Sequence, residues 1–408
     1  MHRLALLSMH GCPFARLGER DTGGMNIYVL QVARELGRRG YRADVFTRIH
    51  DRNDPEIVEL GKNARVIHLE AGPYGETKQS LHKYIPDFLD SLSAFQKRDG
   101  TDYDLIHSHY WLSGSAAIEL SRKWDVPHVA TFHTLAQAKM EARPSENEPK
   151  IRIDTEYQVT KYADSIVVST EQERDDISRF YDVNTDKIKV VPAGVDRQMF
   201  QPKDRVESRN LLGLSDTHIL LAVAQRIEPL KGLDVIIEAM ALMDIQEDTR
   251  LIIVGGDENS TPEVNRLTDL ATGHGIADRV TFTGPVRQHQ LPDYYSAADV
   301  FVFPSYYESF GLAALESQAC GTPVVAANIG GPASYIKDGE NGYIVPWRKP
   351  QAYADRLDAL LSDNELAANM SAACRRISAT MGWDVAVDQI VSHYDGLIDG
   401  KWTRSEGA

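Results

Sequence analysis

The chain has 408 residues, a quarter of them charged, and a formal net charge of −15 at pH 7. This length exceeds the roughly 250 to 300 residues at which a single hydrophobic core stops growing, so two domains are predicted. The acidic balance excludes an extended nucleic-acid surface, because phosphate backbones are bound by clustered Lys and Arg. We therefore expect a small-molecule partner, bound in a cleft between the two domains.

The three cysteines, Cys12, Cys320 and Cys374, are widely spaced and show no metal-ligand pattern. We expect neither a disulfide framework nor a zinc site, and a reducing cytoplasm fits this usage best. The apolar run at residues 4–7 is too short for a signal-peptide core, and no run approaches the roughly 18 residues that span a bilayer. No transmembrane segment is therefore predicted, although peripheral membrane contact stays open.

Short apolar runs alternate along the chain with longer amphipathic stretches, which is the pattern of parallel strands joined by crossover helices. The sequence predicts the α/β class, with two doubly wound, Rossmann-like units that bind ligands at the carboxyl ends of their strands. Strands of the first unit are predicted at residues 4–9, 43–47, 64–69, 104–109, 128–133 and 165–170. Those of the second unit are predicted at residues 218–225, 251–256, 280–284, 300–305 and 323–328.

The domain boundary is predicted near residues 190–202, where Pro192, Gly194 and Pro202 interrupt the periodicity. This gives an N-terminal domain at 1–197, a C-terminal domain at 198–380 and a final segment at 381–408. That last segment begins as an amphipathic helix near Trp383.

A glycine pair marks the first predicted ligand loop, in the string Asp21-Thr22-Gly23-Gly24-Met25-Asn26 just before a helix. Gly23 and Gly24 free the backbone to face an anion or a sugar, and the helix N-terminus adds a positive dipole. Further along, His133 ends the predicted strand 128–133. There it can hydrogen-bond a sugar hydroxyl without carrying charge at neutral pH.

Polar residues at the ends of other first-unit elements suggest an acceptor pocket. Together they offer two cations and two hydroxyl groups, a set suited to a phosphate monoester. A further cation, Lys139, follows His133 on the same segment. The four residues of the set are Lys78, Tyr110, Thr134 and Arg152.

In the second unit, Arg226 follows the strand 218–225 and Lys231 comes five residues later, just before Gly232. Two cations at a strand end suit a diphosphate whose charge grows as its bond to a sugar breaks. Gly284 closes the strand 280–284, where the backbone can approach a ligand.

The strongest motif is ESFGLAALE, in which Glu308 and Glu316 stand eight positions apart around a predicted helix start. Eight residues make about two helical turns, so we expect both carboxylates on one side of the segment. Backbone N–H groups at the helix start can hold phosphates, and the carboxylates can hold hydroxyls. A nucleotide sugar presents both groups. The residues that begin this helix are Ser309, Phe310, Gly311 and Leu312.

With its Gly-Thr-Pro-Val-Val continuation, the motif resembles the nucleotide-sugar site of the retaining family 4 glycosyltransferases of GT-B fold. The likeness runs from the Gly-Gly loop to the last helix, and it implies that the helix at 381–408 crosses back onto the N-terminal domain. It implies that Glu316 binds the donor ribose and that Glu308 lies near the donor sugar and the forming charge. It also implies that Arg226 and Lys231 replace a metal at the leaving diphosphate. No metal is then required, and a divalent ion would at most stimulate.

The resemblance extends to other residues that contact substrates. It implies that His133 touches the donor sugar, that the backbone at Gly284 receives the nucleobase, and that the Gly23-Gly24 loop closes over donor phosphate. The four-residue acceptor set resembles the phosphate pocket of the D-inositol-3-phosphate glycosyltransferase group, in which Asn26 also falls on an acceptor-contacting position. Lys139 is similar to a lysine of the sucrose-phosphate synthases. The chain departs from many relatives at Ser334, where they place a glutamate.

We expect a retaining transfer from a nucleotide sugar, with a UDP-sugar favoured, by same-face substitution onto a small phosphorylated acceptor. A dehydrogenase is disfavoured because no predicted strand is followed by GxGxxG with an acidic residue about twenty positions on. A phosphorylase would need a much longer chain, and an epimerase would have no use for an acceptor pocket. A lipid or polysaccharide acceptor, a non-catalytic sugar-nucleotide binder and a homodimer stay open.

Overall fold

The computed structural model describes residues 1–14, 23–257 and 259–400. These residues divide into two compact units, one made of 1–14, 23–192 and 383–400 and the other of 193–257 and 259–382. The predicted boundaries, after residues 197 and 380, lie a few residues from these divisions. Asp21 and Thr22 of the predicted glycine loop lie outside the described residues.

The first unit is built on a sheet that is parallel except for one antiparallel pair at its edge. Its strands are β1 (Arg3–Leu7), β2 (Arg42–Arg48), β3 (Ile57–Gly61), β4 (Ala64–Leu69), β5 (Leu105–His109), β6 (His128–Thr131), β7 (Ser165–Val168) and β8 (Ile188–Val190). They lie in the order β3-β4-β2-β1-β5-β6-β7-β8, with β3 antiparallel to β4. The central strands are buried along almost all of their length, as a sheet covered on both faces requires.

The helices of the first unit begin and end at residues suited to those positions. The hydroxyl of Thr170 accepts a hydrogen bond from the Glu173 amide at 3.1 Å, which caps one helix start. Gly100 takes a left-handed conformation at another helix end. These helices are α1 (Gly24–Arg38), α2 (Ile85–Asp99), α3 (Tyr110–Trp124), α4 (Ala136–Ala142), α5 (Lys150–Tyr162) and α6 (Glu171–Tyr181), with 3₁₀ turns at Leu81–Tyr84 and Thr185–Lys187.

The second unit contains a parallel sheet with its own apolar core. Its strands are β9 (His218–Ala224), β10 (Thr249–Gly255), β11 (Val280–Gly284), β12 (Val300–Phe303), β13 (Val324–Ala327) and β14 (Gly342–Val345), in the order β11-β10-β9-β12-β13-β14. Its helices are α7 (Arg205–Leu212), α8 (Leu233–Leu242), α9 (Thr261–Gly273), α10 (Leu291–Ala297), α11 (Leu312–Ala319), α12 (Gly330–Ala333), α13 (Pro350–Ser362) and α14 (Asn364–Ser378). Its 3₁₀ turns are Pro229–Lys231, Gln246–Asp248, Ala277–Arg279 and Gln288–Gln290.

The last helix, α15 (Trp383–Asp399), belongs to the first unit. The Trp383 ring meets the Tyr28 ring of α1 edge-on, with ring centroids 5.5 Å apart. The hydroxyl of Tyr394 lies 2.5 Å from Nδ1 of His107 in β5. The helix therefore reaches both an outer helix and the buried sheet of its unit.

The predicted fold class, α/β with two Rossmann-like parallel-sheet units, is confirmed, and each predicted strand forms. The prediction missed β3, β8 and β14, and each of them lies at the edge of its sheet. Edge strands are shorter or less apolar, as the largely exposed residues of β3 illustrate. β3 and β8 lack the continuous apolar run that marks a buried strand, whereas β14 is a short run of four residues.

Cys12, Cys320 and Cys374 are all buried, and none of them forms a disulfide. Burial raises the pKa of Cys374 to about 12 and raises that of Cys320 further. Within the described ranges, no helix combines the length and apolarity needed to cross a membrane.

Two helical glycines allow a matched test of packing. A Cβ on Gly37 of α1 would lie 2.0 Å from the Lys62 carbonyl oxygen, whereas one on Gly396 of α15 would meet nothing within 4 Å. Alanine is favoured over glycine in a helix by about 1 kcal/mol. We expect Gly37→Ala to lower stability by about 2 kcal/mol through overpacking, and Gly396→Ala to raise it slightly. Thermal unfolding of both variants checks this, and equal shifts in both would contradict it.

Candidate active site

The carboxyl ends of β5 and β6 emerge side by side, because the parallel register pairs His109 with Thr131. Tyr110 directly follows β5, and His133 comes two residues after β6. Ligands of doubly wound sheets bind at this edge. The predicted site residues of the first unit therefore start from adjacent strand ends.

The structure brings together Lys78, Tyr110, Thr134 and Arg152, which we call the Tyr110 cluster. The Lys78 ammonium lies 4.1 Å and the Arg152 guanidinium carbon 4.9 Å from the centre of the Tyr110 ring. Both distances are within the range of cation–π attraction. Nη2 of Arg152 also donates to the carbonyl and the hydroxyl oxygen of Thr134, at 2.8 and 3.0 Å.

Carboxylates neutralise the cations beside this cluster. Nε of Arg152 donates to Glu156 at 2.7 Å, and Nη1 donates to Glu148 at 2.9 Å. Nζ of Lys139 lies 2.5 Å from the other oxygen of Glu148. Burial tends to raise the pKa of Glu148, but Arg152 and Lys139 outweigh it and lower that pKa. For the fully buried Glu156 burial prevails, and its pKa is raised.

Asn26 holds the start of α1. The Gly23 amide donates to its side-chain oxygen at 3.1 Å, and its side-chain nitrogen donates to the Cys12 carbonyl at 2.8 Å. Gly23 is extended and Gly24 opens the helix. The buried Asn26 amide thus links the loop after β1 to the helix, and its contact with an acceptor stays a prediction.

His133 belongs to a cluster of three imidazoles with His107 and His109, which we call the histidine cluster. Nε2 of His133 lies 3.0 Å from Nδ1 of His109, and the rings of His109 and His107 are 4.2 Å apart. Burial lowers the pKa of His133 to about 3 and lowers those of His107 and His109 strongly. All three imidazoles are then neutral at pH 7, which supports the expectation of an uncharged His133.

Hydrogen bonding fixes the tautomer of His107. The Thr131 hydroxyl donates to the Val167 carbonyl at 3.0 Å, so it accepts from Nε2–H of His107 at 2.9 Å. A neutral His107 then accepts at Nδ1 from the Tyr394 hydroxyl. The Thr131 hydroxyl therefore sets the tautomer of the innermost histidine, and the C-terminal helix supplies the other hydrogen-bond partner.

Two predicted site residues have strained backbones. Tyr110 has φ +76° and His133 has φ +62°, in the left-handed region that non-glycine residues rarely adopt. Such conformations cost about 1 to 3 kcal/mol each and are found preferentially at functional sites. The strain turns the chain sharply after β5 and β6.

In the second unit, Lys231 pairs with Glu308, with Nζ 2.8 Å from a carboxylate oxygen. Lys231 ends a 3₁₀ turn after β9, and Gly232 follows with φ +62°. A Cβ on Gly232 would lie 2.2 Å from the Pro304 carbonyl oxygen, so the turn needs glycine to approach the end of β12 this closely. Arg226, predicted to act with Lys231, lies 3.8 Å from Glu228 and is half exposed.

The predicted alignment of Glu308 and Glu316 on two helical turns is wrong. The helix α11 begins only at Leu312, and Gly311 precedes it with a left-handed φ of +84°. Glu308 therefore lies in the preceding loop and is partly exposed, whereas Glu316 is buried within the helix. The residues after Gly311 have the composition of a helix, so the sequence did not reveal the tight turn at Gly311.

Aromatic residues secure the turn before α11. The Tyr335 hydroxyl donates to the Gly311 carbonyl at 2.8 Å, and its ring lies 5.2 Å from that of Phe310. A Cβ on Gly331 would lie 2.4 Å from the Phe310 carbonyl oxygen, so this glycine after β13 serves close packing. Ser334, the departure from many relatives, donates to the Gly331 carbonyl at 2.6 Å.

Glu316 accepts a hydrogen bond from the Tyr295 hydroxyl at 3.0 Å. Burial raises the pKa of Glu316 to about 7, against the opposing effect of that hydrogen bond. The other predicted donor contacts occupy turns and strand ends. Gly284 closes β11 with φ +76°, Ser309 lies in the loop before α11, and Leu312 is the first residue of that helix.

Sequence reasoning missed several residues of these clusters. The spacing Arg152-x₃-Glu156 was a usable signal, because residues four apart meet on a helix. His107 and His109 also stand two apart on a strand and so share a face. Tyr295 gave no signal, since its contact with Glu316 depends on how two helices pack. Within the ranges described, no group of three or more His, Cys, Asp or Glu is arranged to hold a metal ion.

Comparison with protein families matches both parts of the chain. Residues 22–198 match the model described as Glycosyltransferase Family 4, and residues 204–376 match that described as Glycosyl transferases group 1. A D-inositol 3-phosphate glycosyltransferase of Xylanimonas cellulosilytica is 40% identical over 402 residues, which cover 96% of each chain. One of Corynebacterium diphtheriae is 38% identical over 401 residues, covering 96% of this chain and 94% of that one.

Among solved structures, the chain is similar to sucrose-phosphate synthase from Thermosynechococcus elongatus. The TM-score is 0.90 and the identity 32%, over 98% of this chain and 100% of the other. The likeness therefore extends across both units.

The raised pKa of Glu316 predicts a pH effect on stability. Below pH 4.5 both folded and unfolded states are protonated, and between 4.5 and about 7 only the unfolded state ionises, so stability falls as pH rises through this window. The lost stability is about 3 kcal/mol. We expect Glu316→Gln to remove this fall, and thermal unfolding at pH 5 and pH 8 measures it. The exposed Glu340→Gln is the control, and a Glu316→Gln profile parallel to wild type would contradict the expectation.

Proposed function

The chain belongs to the family 4 and group 1 glycosyltransferases, whose GT-B fold its two parallel-sheet units match, and on that premise we propose its substrates and mechanism. It transfers a hexosyl group from a nucleotide sugar, with a UDP-sugar favoured, to a small phosphorylated acceptor. The acceptor is an inositol phosphate or a sugar phosphate.

The convergence of the Tyr110 cluster carries this proposal. Residues 78, 110, 134 and 152 come from separate elements, yet Lys78 and Arg152 meet at the Tyr110 ring and Arg152 also holds the Thr134 hydroxyl. Cations with hydroxyl donors are the groups that bind a phosphate monoester. The relatives' names support the same substrate class, because both D-inositol 3-phosphate glycosyltransferase and sucrose-phosphate synthase refer to phosphorylated compounds.

The donor is held by residues of the second unit. Glu316 accepts hydrogen bonds from the ribose, the backbone at Gly284 receives the base, and the N–H groups at the start of α11 face the diphosphate. Lys231, which now pairs with Glu308, turns to the leaving diphosphate together with Arg226. These two cations take the part of a metal, so a divalent ion is at most stimulatory.

The reaction is a same-face substitution with retention. The acceptor hydroxyl oxygen bonds to the anomeric carbon while the bond from that carbon to the diphosphate breaks. The hydroxyl proton passes to the departing diphosphate oxygen. Neutral His133 orients a sugar hydroxyl, and Glu308 lies near the positive charge that develops on the sugar. The Gly23-Gly24 loop closes over donor phosphate.

A matrix assay of nucleoside diphosphate release tests the substrates. UDP-glucose, UDP-N-acetylglucosamine and GDP-mannose are crossed with D-inositol 3-phosphate, fructose 6-phosphate, inositol and fructose in the presence of EDTA. We expect release stimulated by one phosphorylated acceptor alone, and NMR of the product to show an α linkage.

Each other result points to a different conclusion. Release indifferent to phosphate would favour a lipid or polysaccharide acceptor, and donor binding without release would favour a non-catalytic binder. A β linkage would refute same-face substitution. Activity that depends on added Mg²⁺ would refute the part given to Arg226 and Lys231.

Lys78 is the best cation for a test by mutation. Arg152 is buried against two carboxylates, so its removal would leave uncompensated charge and threaten the fold. We expect Lys78→Gln to raise the acceptor KM about 10- to 100-fold, since a hydrogen bond to a charged group contributes about 1.5 to 3 kcal/mol. Slow hydrolysis of the donor should stay unchanged. The exposed Lys83→Gln is the matched control, and an equal KM in both variants would contradict the assignment.

A further inference from the structure

Glu148 occupies the cationic edge of the acceptor pocket. One carboxylate oxygen lies 2.5 Å from Nζ of Lys139, and the other accepts from Nη1 of Arg152 at 2.9 Å. A phosphate monoester would bind this pair in the same way, with one oxygen on the lysine and another on the arginine. The carboxylate thus makes the contacts that an acceptor phosphate needs.

Arg152 has other partners that fix its position. Its Nε donates to Glu156, one helical turn later on α5, and its Nη2 donates to Thr134. The Glu156 side chain is fully buried and also accepts from the Tyr181 hydroxyl and from the Ala136 amide at 3.0 Å. These contacts hold the guanidinium plane, so orienting Arg152 does not require Glu148.

Glu156 lies on the helix α5, whereas Glu148 lies outside any helix. Glu148 lies in the irregular segment between α4 and α5, and 11% of its side chain is exposed. Because Arg152 and Lys139 lower its pKa, it is ionised at neutral pH. It can leave the cations by movement of its own side chain, without disrupting helical hydrogen bonds.

We propose that Glu148 is a specificity-determining residue, a built-in counter-ion that the acceptor phosphate displaces from Lys139 and Arg152. A phosphate dianion carries more charge than the carboxylate and replaces it, whereas an acceptor with no phosphate leaves Glu148 in place. The carboxylate also keeps the cations compensated between turnovers. This inference rests on the proposed function. It adds that Glu148 competes with phosphate for the two cations and thereby sets the affinity of the pocket for phosphate.

Three matched glutamine variants test the competition. Glu148→Gln removes the competitor, Glu156→Gln removes an orienting partner, and Glu146→Gln removes the same charge from a neighbour that pairs with Arg143 at 3.5 Å and reaches Lys139 only at 4.0 Å. Calorimetry gives the Kd of inorganic phosphate, and initial rates give the acceptor KM. We expect Glu148→Gln to lower both about fivefold. Glu156→Gln should raise both, and Glu146→Gln should change neither.

A shorter carboxylate guards against a variant that fails to fold. Glu148→Asp keeps the charge but reaches the cations less well, so it should shift both constants in the direction of Glu148→Gln by a smaller factor. Thermal unfolding of each variant confirms that folded protein is compared.

These variants distinguish failure of the competition from failure of the proposed function. If Glu148→Gln raises the Kd and KM as Glu156→Gln does, Glu148 orients Arg152 and the competition is refuted while the proposed function stands. If Glu148→Gln and Glu146→Gln behave alike, the effect is one of general charge and the inference is again refuted. If wild type binds no inorganic phosphate and ignores acceptor phosphate, the proposed function and this inference fail together.

Discussion

The parallel register of β5 and β6 is the constraint on which the site of the first unit depends. It sets His109 beside Thr131, so the segments after these strands start from neighbouring points. Tyr110 and His133 then adopt left-handed backbones and turn the chain at once. The energy of that strain is offset by packing of their rings and by the cations and imidazoles around them. A regular sheet thereby supports two irregular turns, and these turns carry the candidate site residues Tyr110 and His133.

Buried strands could be predicted because burial on both faces requires continuous apolar runs, and every such run formed a strand. Edge strands and tight turns have weaker sequence patterns and were predicted less well. The αL turn at Gly311 was not foreseen, and with it the position of Glu308 outside the helix was missed. The Tyr110 cluster was predictable residue by residue from a family resemblance, but its carboxylate partners required three-dimensional packing to be recognised. Tyr295 and Glu316, on different helices, show that limit most plainly.

Cations are paired with carboxylates in each of the two units. The pair Lys231–Glu308 and the group of Lys139, Arg152, Glu148 and Glu156 each place carboxylates on cations that are expected to bind phosphate. An uncompensated cation in a partly desolvated site is costly, and an internal carboxylate removes that cost when no substrate is bound. The same carboxylate must then yield to the incoming anion. Under the proposed function, a protein with a net charge of −15 binds its anionic substrates in this way at local cationic points.

The burial of all three thiols has a practical consequence for spectroscopy. A maleimide dye reacts with an accessible thiolate, so Cys12, Cys320 and Cys374 leave a low labelling background. One cysteine introduced at the exposed Lys97 of α2 and another at the exposed Glu365 of α14 would carry a fluorophore pair, one dye on each unit. Energy transfer between the dyes would then measure whether the separation of the units changes when nucleotide sugars and phosphorylated compounds are added, with the native cysteines left in place.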